Sequence, residues 1–152
     1  LRNPSYADWS RTIRRVGLVR RISTNSELEK GAGYSRAVVD DDYVHVSGTN
    51  GFDFETMTIS DDVVEQGHQV FRNIARTLAA ARCSFSDLVR VTFYMPTPAD
   101  YKMLAPVFKQ YLGPNPPAAT ALIAQLVDSR IRIEIEATAR LPNDKSLVGR
   151  IS

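Results

Sequence analysis

Residues 130–139, RIRIEIEATA, alternate strictly between polar and apolar side chains. Successive side chains of a β-strand point to opposite faces, so the pattern predicts a strand with one apolar face and one polar face. The apolar face packs on the core and consists of Ile131, Ile133, Ile135, Ala137 and Ala139. The polar face either meets solvent or lines a pocket that uses ionised groups, and it consists of Arg130, Arg132, Glu134, Glu136 and Thr138.

A helical pattern covers residues 61–82. Its apolar and small residues recur at three- and four-residue spacing, which predicts an amphipathic helix with one buried stripe. The stripe consists of Val63, Gly67, Val70, Phe71, Ile74, Leu78 and Ala81. Ser60 is predicted to be the N-cap, with Asp61 and Asp62 in the first turn, where the helix dipole favours negative charge.

Shorter β-rich runs predict the other strands. Residues 34–39 and 43–49 flank an acidic turn and predict a hairpin, after which the Gly-, Asn-, Asp- and Thr-rich residues 48–60 predict a loop. Residues 88–95 predict a further strand, and residues 119–126 predict another before the final one.

A second helix is predicted to begin at residue 97. Thr97 can cap it, Pro98 suits its first turn, and Asp100 stands at the third position of a box-like start. Pro106 lies inside this segment, where proline removes a helical hydrogen bond. We therefore expect a break near Ala105 and a short helix that resumes to about residue 112, before an irregular connector from residue 113.

The predicted order is strand, strand, helix, strand, helix, strand, strand. This order favours an α+β layer in which the helices cover one face of a sheet and leave the other face bare. A bare face of that size is either solvated or covered by another chain.

The composition indicates one soluble domain. A chain of 152 residues with 43% hydrophobic residues can bury one ordinary core. No window approaches the roughly eighteen consecutive apolar residues of a membrane helix, so no membrane partner is expected. The single cysteine, Cys83, cannot form an internal disulfide. Cys83 is expected to pack at the end of a helix or, alternatively, to be a reactive thiol. A lone cysteine also fits a cytoplasmic location.

Charge divides the chain into a basic N-terminal extension, residues 1–21, and a single domain, residues 22–152. The extension holds six arginines and one acid, whereas the rest has 13 basic and 16 acidic residues. Three roles are open for such an extension. It packs on the body or on a partner subunit, it is disordered, or it serves in targeting or in nucleic-acid binding. Trp9, Ile13 and Val16 fall at helical spacing and form an apolar stripe suited to packing.

Motifs that announce the common enzyme classes are absent. The sequence has no Gly-rich phosphate loop, paired-cysteine motif, HExxH helix or G-x-S-x-G elbow. The two histidines, His45 and His68, lie far apart without a carboxylate motif, so structural roles are predicted for both. Neither a metal nor a cofactor is expected.

The two glutamates of the last strand are the candidate chemical groups. Glu134 and Glu136 share a strand face, where each raises the proton affinity of the other if solvent is excluded. A carboxylate in that setting can orient or deprotonate a water molecule. Arg130 and Arg132 support the competing interpretation, an exposed ladder of cross-strand ion pairs. The residues alone leave both interpretations open.

Five segments in order resemble the YjgF/RidA family, the reactive-intermediate deaminases. They are residues 33–48 (GYSRAVVDDDYVHVSG), the long helix after the loop, residues 87–95 (DLVRVTFYM), the connector PPAAT and the final strand. The resemblance covers residues 21–141. It implies a chorismate-mutase-like mixed sheet covered by two helices on one face. It also implies a homotrimer whose bare faces pack toward the centre, with clefts between neighbouring subunits and part of the polar strand face lining a cleft.

The resemblance also implies a set of site residues. In the active deaminases of the family, a glutamate on the last strand holds the water that attacks an imine carbon, and it corresponds to Glu134. The tyrosine of the family's G-P-Y-S motif corresponds to Tyr34, and its S-G after the second strand to Ser47 and Gly48.

One residue departs from the family pattern. An arginine in a P-A-R motif of the family clamps the substrate carboxylate, but an ungapped count back from Glu134 reaches Ala119 at this position, with Thr120 beside it as a further ligand-binding candidate. Losing a charge-assisted pair costs on the order of 2–5 kcal/mol of binding to a carboxylated ligand. Ala105 likewise stands where the family often has asparagine. The sequence thus resembles an arginine-lacking branch.

Two arginines are candidate replacements for the clamp. Arg36 can enter the cleft from its own strand and Arg132 from beside Glu134, or each is a solvated surface arginine.

The first functional hypothesis is a homotrimer that binds a small organic molecule and hydrolyses an imine or related bond with Glu134. The second is a non-catalytic binding or regulatory trimer, and the third is a ribonuclease, which the acidic body disfavours.

Overall fold

The structure is a computed structural model that describes residues 19–24 and 26–142. The predictions for the extension before residue 19, including its apolar stripe, lie outside the described residues. The helices and strands are β1 (Arg20–Ile22), α1 (Glu27–Ala32), β2 (Ala37–Asp40), β3 (Tyr43–Asn50), β4 (Phe52–Asp53), β5 (Thr58–Ile59), α2 (Val63–Ala80), β6 (Leu88–Met95), α3 (Pro98–Leu112), β7 (Ala118–Ile123) and β8 (Glu134–Arg140).

Six strands form one mixed sheet in the order β1-β2-β3-β8-β6-β7. β6 and β7 run parallel, and the other neighbouring strands are antiparallel. Apolar side chains of β3, β6 and β8 share one buried cluster with those of α2 and α3. The predicted α+β fold, with two helices covering one face of the sheet, is therefore confirmed.

The long helix buries the stripe that its spacing predicts, since every member of the stripe is buried. Gly67 allows close packing on α3, because a Cβ there would lie 2.6 Å from Leu104 Cδ2. The predicted N-cap, Ser60, is wrong. Asp62 caps the helix instead, with its carboxylate accepting hydrogen bonds from the backbone N–H groups of Val64 and Glu65 at 2.7 and 3.1 Å.

The second helix does not break, contrary to the prediction. Thr97 caps it by accepting from the Asp100 backbone N–H at 3.4 Å, and α3 continues through Pro106. Pro106 leaves the Lys102 carbonyl without its helical donor, but both residues lie on the exposed side of the helix, where water can replace that bond. The opposite side packs into the core.

The final strand begins at Glu134, four residues later than predicted. The residues just before the strand are held by the side chain of Gln66, on α2. The Gln66 amide donates to the Arg130 carbonyl at 2.9 Å and accepts from the Arg132 backbone N–H at 2.9 Å. Because these backbone groups are bonded to Gln66, they do not take part in the strand ladder.

Several local features were not predicted. β1 and α1 precede the hairpin, and the predicted boundary between residues 21 and 22 falls inside β1. Ser26 caps α1, and Gly33 ends it in the left-handed conformation at φ 70°. The predicted loop 48–60 contains the small hairpin β4–β5, and β7 ends at Ile123 rather than at residue 126. None of the described helices combines the length and hydropathy that a bilayer span requires.

Candidate functional site

The Glu134 carboxylate rests against the backbone of Gly48. Glu134 lies opposite Asn50 on β3 and Tyr94 on β6, at the first position of β8. A Cβ at Gly48 would lie only 2.5 Å from Glu134 Oε1, so the contact depends on glycine. The side chain is half-buried, and no donor in the described part of the chain forms a hydrogen bond with its carboxylate. The group is therefore available to a water molecule or a ligand.

Arg36 joins Tyr34 to Gly48. Its Nη2 donates to the Tyr34 hydroxyl at 3.0 Å and its Nη1 to the Gly48 carbonyl at 3.3 Å. Ser47 lies beside them and donates from its Oγ to the Ser35 carbonyl at 2.7 Å. The structure thus brings Tyr34, Arg36, Ser47, Gly48 and Glu134 together at one end of the sheet. Arg36 is only 2% exposed, so its interpretation as a solvated surface arginine is wrong.

Glu29 of α1 is the buried counter-ion of Arg36. Its Oε1 accepts from Arg36 Nε at 3.5 Å, and its carboxylate also accepts from Ser23 Oγ and from the Thr24 backbone N–H. Burial raises the pKa of the Glu29 carboxyl, but the hydrogen bonds from Ser23 and Thr24 and the charge of Arg36 together bring this pKa below its ordinary value of 4.5. Sequence analysis missed Glu29, because only the fold shows that α1 packs beside β2.

The lowered pKa of Glu29 predicts a contribution to stability at low pH. A carboxyl whose pKa is lower in the folded state stabilises the fold above its unfolded pKa, and this stabilisation is lost as pH falls through the folded pKa. We expect the difference in unfolding free energy between the parent chain and Glu29→Gln to be constant above about pH 5.5. It should shrink as pH falls below 4.5. Urea unfolding from pH 7 to pH 3 measures it, and a difference independent of pH would contradict the assignment.

Neither arginine of the predicted polar strand face reaches the glutamates. Arg132 Nη2 forms an ion pair with the buried carboxylate of Asp100, on α3. Arg130 pairs with Asp128 at 2.7 Å, and hydrogen bonds from its side chain and backbone lower the pKa of Asp128 to about 2. The predicted arginine–glutamate ladder is therefore wrong, because both arginines precede the strand and turn toward other acids.

Ala119 and Glu134 lie on opposite faces of the sheet. Tyr94 pairs with both Glu134 and Leu122, so these three side chains share the bare face. Ala119 pairs with Val91 on the helix-covered face, where it and Ala105 line the same groove of about 220 Å³. The two positions that depart from the family pattern are thus neighbours in space.

Thr120 lies on the bare face of the sheet. Its register with Thr92 places it on the same face as Glu136, and its Oγ1 accepts from Arg90 Nη2 at 3.4 Å. Thr120 is therefore held two strands away from β8, separated from it by β6.

Tyr94 is a neighbour of the site that sequence analysis did not single out. Its hydroxyl donates to Glu136 Oε1 at 2.9 Å, and this hydrogen bond, followed by burial and the nearby negative charges, raises the pKa of Tyr94. Glu136 is therefore bonded to a tyrosine, whereas Glu134 is not bonded to any described donor. The alternation of β6 signals that Tyr94 lies on the bare face, but its position opposite Glu134 depends on strand register.

The β7 edge of the sheet is exposed. Every residue of β7 is exposed, and Leu122 and Ile123 each have about half of their surface accessible, at 47% and 52%. Val127, which follows the strand, is 97% exposed. An open edge with large apolar side chains is the kind of surface that another chain covers.

The cysteine and the histidines lie apart from this cluster. Cys83 is buried, and burial followed by the charge of Asp87 raises the pKa of its thiol, which favours the packing interpretation. His68 Nδ1 lies 3.0 Å from the Tyr111 hydroxyl, whereas His45 is exposed on the bare face. Among residues 19–24 and 26–142, no three potential metal ligands are clustered.

Comparison with known families gives one match that covers most of the chain. The model of the family described as Endoribonuclease L-PSP matches residues 24–141. The chain is 32% identical over 124 residues to the human 2-iminobutanoate/2-iminopropanoate deaminase, covering 80% of this chain and 90% of that protein. Its identity to the goat protein of the same name is 34%, with the same coverage.

Solved structures give the same result. A member of the YjgF/YER057c/UK114 family from Mycobacterium tuberculosis superposes with a TM-score of 0.74 at 29% identity, covering 81% of this chain and 99% of that chain. RidA from the Antarctic bacterium Psychrobacter superposes with a TM-score of 0.68 at 32% identity, covering 71% and 88%. The resemblance carried by the sequence motifs is therefore confirmed by sequence and by fold.

Proposed function

This chain belongs to the Endoribonuclease L-PSP family, which is the YjgF/RidA family, and we propose on that premise that it is an imine hydrolase of the arginine-lacking branch. It acts as a homotrimer and binds a small organic imine in clefts between subunits. Glu134 is its catalytic residue, and Tyr34, Arg36, Ser47 and Gly48 shape the pocket around it. Relatives of this chain are named as imine deaminases, which supports this chemistry.

The observation that carries the proposal is the state of the Glu134 carboxylate. It is half-buried, it rests on the Gly48 backbone, and it accepts no hydrogen bond from the residues that the structure describes. Glu136, two residues away, is instead bonded to Tyr94. A sheltered carboxylate without a protein donor is suited to bind and deprotonate water.

The proposed step is addition of water to a carbon–nitrogen double bond. Glu134 removes one proton from a bound water as its oxygen attacks the imine carbon, and it passes this proton to the imine nitrogen to give a neutral carbinolamine. Glu134 then takes the proton of the carbinolamine hydroxyl and passes it to the nitrogen as the carbon–nitrogen bond breaks, which releases a carbonyl compound and ammonia or an amine. The carboxylate ends as it began, so neither an oxidant nor a cofactor enters the balance.

The environment of Ala119 supports a substrate without the usual carboxylate. Ala119 and Ala105 line one groove together with the aromatic rings of Phe93, Tyr101 and Phe108. Alanine thus occupies the two positions where the family has arginine and often asparagine. Alanine cannot form the bidentate contact that a guanidinium makes with a carboxylate. Lys109 also lines this groove, but its ammonium is a single point charge that does not reproduce the planar fork of a guanidinium. An uncharged, partly apolar imine therefore fits this surface better than a small imino acid.

Two features support assembly into a trimer. Ala119 and Glu134 lie on opposite faces of one sheet, so two subunits are needed for both positions to contact the same ligand. The exposed β7 edge and its large apolar side chains offer a surface for such contacts. The bare, polar face of the sheet offers a second one.

The direct test compares two imines. We expect the purified chain to speed the hydrolysis of an uncarboxylated ketimine more than that of 2-iminopropanoate, each generated in the assay from the corresponding amine or amino acid. Ammonia release above the rate in buffer is the measurement, and light scattering gives the oligomer mass. The enzyme proposal fails if neither imine is hydrolysed faster than in buffer.

The same departures favour a second candidate, a non-catalytic trimer that binds or senses a small molecule. In this alternative, Glu134 accepts a hydrogen bond from the ligand and performs no proton transfer. Saturable binding of the uncarboxylated ketimine without any turnover would favour it over the enzyme.

A further inference from the structure

The Glu29–Arg36 ion pair is more deeply buried than the site itself. Glu29 is 3% exposed and Arg36 is 2% exposed. A buried ion pair often adds little net stability, because removing two charges from water costs about as much as their attraction returns. Its position directly behind the site residues suggests a different contribution.

The Arg36 guanidinium is fixed in three directions. Nε faces Glu29, Nη1 faces the Gly48 carbonyl, and Nη2 faces the Tyr34 hydroxyl. Its carbon lies 4.7 Å from the centre of the Phe54 ring and 5.3 Å from the centre of the Tyr34 ring. A planar group held by three hydrogen bonds and two rings cannot rotate without breaking several contacts.

Glu29 is itself held in place from the other side. Thr24 donates from its backbone N–H to both carboxylate oxygens, at 3.2 and 3.1 Å, and the Ser23 hydroxyl donates to Oε2. The carboxylate therefore has one orientation toward Arg36. The Glu29 side chain therefore reaches the site through the guanidinium, whereas its backbone carbonyl accepts directly from the Tyr34 N–H at 3.2 Å.

We propose that Glu29 is a positioning residue for the Glu134 site. Through Arg36 it fixes the Tyr34 hydroxyl and the Gly48 carbonyl, and Gly48 is the surface on which the Glu134 carboxylate rests. The catalytic part of this inference rests on the proposed imine hydrolysis, whereas the positional part does not. It also assigns Arg36 a role other than clamping a ligand carboxylate, since three of its N–H groups are bonded within the protein.

The test compares Glu29→Gln with Glu27→Gln, a matched control on the same helix. Glu27 is 92% exposed and pairs with Lys30, which is also exposed. Backbone amide signals of the ¹⁵N-labelled chain report position without any assay of activity. The Tyr34 amide is bonded to the Glu29 carbonyl and would respond to any change at residue 29, so the Gly48 and Glu134 amides are the informative ones. We expect the Gly48 and Glu134 amide signals to shift in Glu29→Gln and to stay in place in Glu27→Gln.

Kinetics supply the second measurement. We expect Glu29→Gln to lower kcat for imine hydrolysis about 10- to 100-fold with little change in KM, because a small displacement of reacting groups affects the chemical step most. If Glu29→Gln does not fold, the charge-balanced variant Glu29→Gln/Arg36→Met replaces it. That variant also removes the Arg36 bonds to Tyr34 and Gly48, so its amide shifts and its loss of kcat should be at least as large.

Separate outcomes apply to the two proposals. Unchanged Gly48 and Glu134 amide signals, or a double variant with the parent kcat, would overturn the positioning role. If the parent chain does not hydrolyse imines, the proposed enzymatic function is rejected. The amide signals alone then test the positioning role.

Discussion

Glu134→Gln is expected to lower kcat for imine hydrolysis by about 10²–10⁴-fold, the usual contribution of a positioned general base. Glutamine keeps the size of the side chain but cannot accept the proton of the attacking water. The fold should be little affected, because no described donor is lost and the group is half-buried at the end of β8. Steady-state rates and thermal unfolding of the same preparations measure the two effects.

Glu136→Gln is the matched control for this prediction. Glu136 lies on the same strand face, but its carboxylate accepts from the Tyr94 hydroxyl, and a glutamine oxygen can accept the same bond. We expect its rate to stay close to that of the parent chain. Equal losses in the two variants would show that general negative charge on the strand, rather than the Glu134 carboxylate, supports turnover. Full activity in Glu134→Gln would end the catalytic assignment.

Ala119→Arg is expected to raise kcat/KM for 2-iminopropanoate by tens- to several thousand-fold, equivalent to the roughly 2–5 kcal/mol of a charge-assisted pair. Ala119 is exposed on the helix-covered side of β7, beside a groove of about 220 Å³, so a longer side chain can be accommodated without entering the core. The restored guanidinium would bind the carboxylate of the imino acid bidentately. Rates with 2-iminopropanoate and an uncarboxylated ketimine measure the change in preference.

Ala118→Arg controls for the added charge. Ala118 is the preceding residue of β7, is also exposed, and points to the opposite face of the sheet. We expect this variant to show no gain with the carboxylated substrate. Equal gains in both variants would indicate general electrostatic attraction, and no gain in Ala119→Arg would argue against the alignment that places Ala119 at the clamp position.

Local spacing predicted the long helix and the core faces well. The stripe from Val63 to Ala81 is buried because helical periodicity alone places those side chains on one side. The apolar members of the last strand are buried for the same reason, at a period of two. Each of these predictions needs only residues close together in the chain.

Predictions that depended on distant contacts were less successful. Pro106 does not break α3, because buried residues on the opposite side of the helix hold it and the freed carbonyl faces solvent. Arg132 does not accompany Glu134, because Gln66 and Asp100, from two different helices, bind its backbone and side chain. Neither partner is close to residue 132 in the chain.

The order of residues was sufficient for the family, the α+β class, the two buried faces and the assignment of Glu134 to the polar face. Each of these follows from short-range periodicity or from motifs that are contiguous in the chain. The buried state of Arg36, its link to Glu29, the contact of Glu134 with Gly48 and the opposite facing of Ala119 required the folded chain. They arise from strand register and from packing between segments far apart in sequence, and local pattern carries no information on either.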